Sequence, residues 1–166
     1  MGVVSAYWVS PGVTVVVALL FGLLVGSFLN VVIHRLPRML EMQWQRQAAE
    51  LRNEPPAAAE PLNLMVPRSR CPHCGTQIRA LHNVPVLSYL ALRGRCANCA
   101  APIPLRYPLV ELAGGVLAAV AVWHFGLTAA GAGAVLLSFF LVALAFIDLD
   151  TQLLPDDMTL PLLWLG

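Results

Sequence analysis

The chain has 166 residues, of which 58% are apolar and only 11% charged, with a formal net charge of +1. That balance excludes an ordinary soluble globular domain, and the sequence has to be read against a bilayer. A net charge so close to zero carries no information about partners.

In chain order, residues 1–12 hold no Arg or Lys, and no small-x-small cleavage site follows a short apolar run. The first apolar stretch, Val13 to Ile33, therefore predicts a retained membrane helix rather than a cleaved signal, close to the ~20 residues that cross a hydrocarbon core. Within it Gly22, Gly26, Asn30 and His34 recur every fourth residue and form one small-and-polar stripe, with Ser27 beside it. Two readings stay open: close packing of a second helix on Gly-x-x-x-Gly, or a polar face lining a site at the end where Asn30 and His34 lie.

Residues 34–106 form one long loop. All ten basic residues are arginines and lie between Arg35 and Arg106, so the positive-inside rule predicts a cytoplasmic loop and a periplasmic segment 1–12. Arg38 to Glu60 favours helix and ends at a linker, Pro55-Pro56-Ala-Ala-Ala. Residues 68–103 differ: they hold all four cysteines, several prolines and little helical periodicity, which predicts a small module held by something other than a core. The loop's arginines are offset by Glu41, Glu50, Glu54 and Glu60, so no nucleic-acid surface is expected.

Cys71-Pro-His-Cys74 and Cys96-Ala-Asn-Cys99 are two Cys-x-x-Cys knuckles separated by twenty-one residues. Thiolates so spaced can converge on one tetrahedral zinc ion. Disulfides are the competing reading, and a reducing compartment disfavours them. Four cysteine ligands leave no open position, so the zinc is expected to be structural. His73 reads as an exposed bystander, and Gly75 and Gly94 as turn residues flanking the knuckles.

Two further apolar stretches, 107–125 and 129–147, predict the second and third membrane helices. Glu111, near the start of the second, is either a functional acid or one that reaches the interface; Trp123 and His124 at the other end read as interfacial. The third stretch runs into Asp148 and Asp150, then Leu154-Pro155-Asp156-Asp157. Asp148 directly continues the apolar run and is expected to be the more buried of its pair, as a carboxyl dyad sharing one proton requires. Asp150 lies about 200° further round the helix and reads as the mark of the helix end. Asp156 and Asp157 read as caps of a new apolar run, 158–166, taken as the start of a truncated fourth span. The expected fold is an all-α polytopic membrane protein, a helical transmembrane bundle with a small zinc-stabilised cytoplasmic insertion.

Several segments together carry a resemblance. Gly26-Ser-Phe-Leu-Asn-Val-Val-Ile-His-Arg-Leu-Pro37, the paired knuckles, Asn83-Val-Pro-Val-Leu-Ser-Tyr89, Arg93-Gly-Arg-Cys96, Pro104-Leu-Arg-Tyr-Pro-Leu-Val-Glu111 and the run from Ile147 to Asp156 resemble, in that order, the type IV prepilin peptidase and N-methyltransferase family. The resemblance implies a multi-pass enzyme of the bacterial inner membrane, an intramembrane aspartyl protease that removes the basic leader of prepilins and pseudopilins. It implies a second activity as well, methylation of the new N-terminal residue with S-adenosylmethionine, associated with the cytoplasmic loop. Asp148 matches the first catalytic aspartate. The family's second aspartate, in a Gly-x-Gly-Asp motif, is nowhere in these residues, so this chain by itself is expected to be proteolytically silent. The rival reading is a membrane-anchored zinc-module adaptor without catalytic activity, which leaves the Asp148 motif and the Asn83-to-Tyr89 segment without a reason.

Overall fold

The computed structural model describes residues 10–55, 62–78 and 84–165. Residues 1–9, the Pro56-to-Glu60 part of the linker, Asn83 and Gly166 lie outside the described residues.

Helix α1 spans Pro11–Leu51. It starts where the sequence supplies both an N-cap and a suitable first residue: the Ser10 side chain accepts from the Val13 amide, and Pro11 needs no amide partner. Its 41 residues make it about 60 Å long, roughly twice the ~30 Å of a hydrocarbon core. The apolar stretch 13–33 and the helix-favouring stretch after Arg38 are thus one continuous helix. Pro37 sits buried inside it and forgoes one backbone hydrogen bond without ending it, because the strong helix formers from Arg38 to Leu51 carry the helix on. The helix stops at Leu51, four residues before Pro55, where the linker is read to begin.

Helix α2 is the short turn Leu87–Ala91, and α3 spans Arg106–Phe125. After Gly126, whose φ of +67 ends α3, the Thr128 hydroxyl accepts from the Gly131 amide at 3.1 Å and caps α4, Ala129–Thr151. That helix runs one turn beyond Ile147, so Asp148 and Asp150 are both helical. Helix α5, Asp156–Leu165, carries Asp156 and Asp157 in its first turn, where acids meet the positive end of the helix dipole.

No strand occurs among the described residues, only two isolated bridges in the cysteine module. Helices α1, α3 and α4 are long and apolar enough to cross a membrane. They pack around Leu29, Ile33, Val110, Phe139, Ala143 and Ile147, and leave Leu24, Leu109 and Leu141 more than half exposed on the outer faces, the surface a bilayer would cover.

The closest approach is between α1 and α3. A Cβ on Gly26 would fall 2.7 Å from the Glu111 Cα, and one on Gly22 would strike the Gly114 carbonyl and the Ala118 side chain. The stripe on α1 therefore divides along its length. Gly22 and Gly26 admit α3, Asn30 is buried and donates to the Tyr107 carbonyl at 3.1 Å, and His34, one turn on, is exposed and lines a cavity. Packing accounts for Gly22 and Gly26, and the polar end of the stripe faces the cavity.

Candidate functional site

The two knuckles are built alike. In the first, the Cys71 amide donates to the Thr76 carbonyl and the Gly75 amide to the Cys71 carbonyl; in the second, Cys96 donates to Ala101 and Ala100 to Cys96. A bridge closes each, Arg70 to Gln77 and Arg95 to Pro102. The two folds bring the sulfurs of Cys71, Cys74, Cys96 and Cys99 within 4.8 Å of one another, with the Cys71 and Cys99 sulfurs 3.8 Å apart. Exposed His73 is not a member of the group.

The charge balance of this cluster suits a cation. Hydrogen bonds from the Thr76 side chain and backbone, then from Asn98, hold the Cys74 thiol down to about 6. Cys99 receives a backbone hydrogen bond at Ala101 that lowers it, yet desolvation and the neighbouring cysteines push it up to about 12. Four sulfurs this close cannot all ionise alone, and a bound metal ion removes that conflict.

Gly75 and Gly94 are turn residues beside the knuckles, as read from the sequence, and the likeness of the two knuckles adds Ala100 to them. The residue four after the first cysteine of each pair has positive φ: Gly75 (+68) in one, Ala100 (+57) in the other. Gly94 also has positive φ, but it follows α2, and a Cβ there would meet the Tyr89 ring at 2.9 Å. Ala100 thus holds a left-handed conformation that costs an alanine roughly 1–2 kcal/mol. Ala100→Gly is expected to stabilise the module by up to about 1 kcal/mol after the entropy lost by glycine. Resistance of residues 68–103 to proteolysis during titration with a chelator measures it.

Between the module, the middle of α1 and the start of α3 lies a cavity of about 870 Å³. Arg35 of α1 clamps the approach to the module by donating to the carbonyls of Asn63 at 2.8 Å and Pro67 at 2.5 Å. The lining is mixed: Tyr89 and Ile103 from the module side, Arg38, Arg68 and Arg70, and Glu111 of α3. Glu111 is only 9% exposed, and its Oε2 accepts the Val86 amide at 2.8 Å. Val86 needs holding, since it has φ 57 and ψ −46 and stands at the centre of a three-residue turn in which the Leu87 amide reaches the Pro85 carbonyl. That turn is strained, the more so for a β-branched residue.

Beside this cavity lies a smaller one of about 230 Å³, lined by His34, Arg38, Glu41, Asp150 and Thr151. His34 and Arg38 line both. Here the ends of α3 and α4 are tied: Arg106 donates to the Asp150 carboxylate at 2.5 Å and to the Phe146 carbonyl at 3.2 Å, with its guanidinium 5.2 Å from the centre of the Phe146 ring. Asp148 and Asp150 are both exposed, so the burial expected of Asp148 is not seen, and of the two it is Asp150 that lines the cavity and pairs with Arg106. The cause is helix register: Ile147, fully buried, takes the core-facing position, and 100° per residue turns Asp148 away from α1 and α3 while Asp150 returns to within about 60° of Ile147.

With the geometry in place, comparison with known proteins decides the family. The model of the Bacterial Peptidase A24 N-terminal domain matches residues 20–125, from the glycine stripe through the cysteine module to the end of α3. The chain belongs to that family. Nearly all of this A24 domain and its continuation aligns with proteins named prepilin leader peptidase/N-methyltransferase. It is 56% identical to that of Stutzerimonas stutzeri over 95% of the chain and 55% of the relative. It is 52% identical to that of Pseudomonas aeruginosa, over 94% and 54% respectively, and 52% identical to that of Neisseria gonorrhoeae, over 90% and 53%. The chain thus spans about half the length of these relatives. No solved structure matches it.

Sequence reasoning named the four cysteines, Glu111 and Asp148, but it did not find the Arg106–Asp150 pair, the Arg35 clamp or the hold of Glu111 on Val86. Arg106 and Asp150 are 44 residues apart, and Arg35 reaches carbonyls 28 and 32 residues away. The one local signal for Arg106 was its place at the very start of an apolar helix, where a charged head can leave the bilayer.

Proposed function

We propose that this chain forms the N-terminal half of a bifunctional processing enzyme of the bacterial inner membrane. The enzyme removes the leader of prepilins and pseudopilins and methylates the new N-terminus from S-adenosylmethionine. The observation that carries the reading is the identity of 50–56% to enzymes so named, across nearly the whole chain.

In this reading residues 34–106 face the cytoplasm, consistent with the confinement of every arginine to that stretch. Cys71, Cys74, Cys96 and Cys99 hold one zinc ion. At Zn–S distances of about 2.3 Å a tetrahedron has edges of about 3.8 Å, the separation of the Cys71 and Cys99 sulfurs. A bound zinc gives the module the closure its small core lacks and takes no part in the chemistry. Asp148 supplies one carboxyl of the proteolytic pair, and its exposed position leaves room for the second from a segment outside these helices. S-adenosylmethionine, when bound, supplies the methyl group; the cavity under the module has the size, the aromatic wall and the charged groups of both signs to receive it and the peptide end it modifies.

The test is to incubate the purified full-length enzyme with a prepilin and labelled S-adenosylmethionine. Expected are loss of the leader and one labelled methyl on the new N-terminus. An enzyme that does neither, yet retains a partner protein through residues 68–103, would establish the adaptor instead.

A further inference from the structure

The cavity between the cysteine module and the membrane helices contains one buried carboxylate that the fold alone does not account for. Glu111 accepts a well-formed hydrogen bond from the Val86 amide, with the Ser27 hydroxyl near it, although a carboxylate offers about four acceptor positions. It forms no ion pair among the described residues. Ionising it there is costly, since these hydrogen bonds replace its lost hydration only in part and no cation does the rest. Holding Val86 does not require the charge, because a neutral amide oxygen would accept the same N–H.

Three guanidinium groups that could have neutralised Glu111 line the same cavity. Arg38, Arg68 and Arg70 have no carboxylate partner among the described residues either. The cavity therefore keeps a negative floor and positive walls apart, which suits a ligand with a cationic centre at one end and an anionic group at the other. Its floor is also continuous with the end of the bundle that carries Asp148 and Asp150, because His34 and Arg38 line both the large cavity and the small one beside α4.

We propose that Glu111 is the anionic anchor of the methyl-transfer site and receives a compact onium cation. Two sources share that chemistry: the α-ammonium of the newly processed chain and the methylsulfonium of the donor. The proposal rests on the methyltransferase reading given above. Glu111 then fixes the position of the reacting centre, with Arg38, Arg68 and Arg70 free to take the donor's carboxylate, and Val86 is strained because its amide is tied to a side chain placed for the ligand.

Glu111→Gln in the full-length enzyme separates charge from scaffold, since glutamine keeps the shape and the acceptor for Val86. Two pairs of ligands are titrated by calorimetry: a peptide with a free N-terminal phenylalanine against its acetylated form, and S-adenosylmethionine against S-adenosylhomocysteine. The wild type is expected to favour the cationic member of at least one pair by about tenfold or more, the range of a charge-assisted contact. Glu111→Gln is expected to lose that preference, with leader removal and thermal stability close to wild type. Loss in the peptide pair assigns the ammonium, and loss in the donor pair the sulfonium. If Glu111→Gln keeps the wild-type preference in both pairs while the wild type methylates, Glu111 is a scaffold residue and this proposal falls alone. If the wild type neither methylates nor binds any of the four ligands, the methyltransferase reading falls with it.

Discussion

Asp148→Asn in the full-length enzyme is expected to abolish leader removal, a loss on the order of 10³-fold or more if, as proposed, its carboxyl exchanges a proton with the attacking water. Asparagine keeps the shape and hydrogen-bonding capacity of the side chain but cannot ionise. The fold gives a reason to expect no structural damage. Asp148 is exposed in the last turn of α4, one residue beyond fully buried Ile147, so the core among α1, α3 and α4 does not depend on it. Methylation of a pre-cleaved substrate should persist, since the site proposed for that reaction is the cavity beneath the cysteine module. Asp150→Asn should be far milder. It removes the ion pair with Arg106, whose side chains are 34% and 38% exposed, and such pairs contribute at most about 1 kcal/mol. Normal cleavage by the Asp148→Asn enzyme, or cleavage of prepilin by residues 1–166 alone, would overturn the two-aspartate assignment.

The second large effect concerns the metal. Cys71→Ser combined with Cys99→Ser should take the zinc content of the purified enzyme from about one equivalent to none. With it goes a binding free energy of about 10–16 kcal/mol, which for a module without its own core is folding free energy. Residues 68–103 should become sensitive to protease while α1, α3 and α4 remain inserted, because none of their packing uses a cysteine. Methylation should fall to background, since the module supplies Tyr89, Ile103 and much of the remaining cavity wall. A wild-type enzyme free of zinc, with the four cysteines in two disulfides, would remove both the metal site and the cytoplasmic placement of the loop.

How much of the fold and the site is legible in the sequence depends on the range of the forces involved. Apolar stretches announce α1, α3 and α4 because transfer into a bilayer depends on composition over about 20 residues. The cysteine set is legible because a pair of ligands two residues apart is a local property, and only the joining of the two pairs needs the fold. Other features are decided by packing. Whether Pro37 ends a helix depends on the residues after it and on those packed around it, and here it lies buried within α1. Whether Asp148 or Asp150 meets Arg106 depends on the register set by Ile147, which the neighbouring helices bury. That Ala100 is the counterpart of Gly75 emerges only when the two knuckles are laid on one backbone.

By itself the sequence determined a helical membrane protein with two pairs of thiols at ligand spacing and an acid at the end of its third apolar stretch, since each of these is written within one helix length or one turn. Tertiary structure alone decided the cavity, the clamp of Arg35 on the loop, the tie of Arg106 to Asp150 and the burial of Glu111 against Val86. Each of these joins residues 25 to 44 positions apart, and no local propensity encodes which distant side chains meet once the glycines of α1 have let α3 approach.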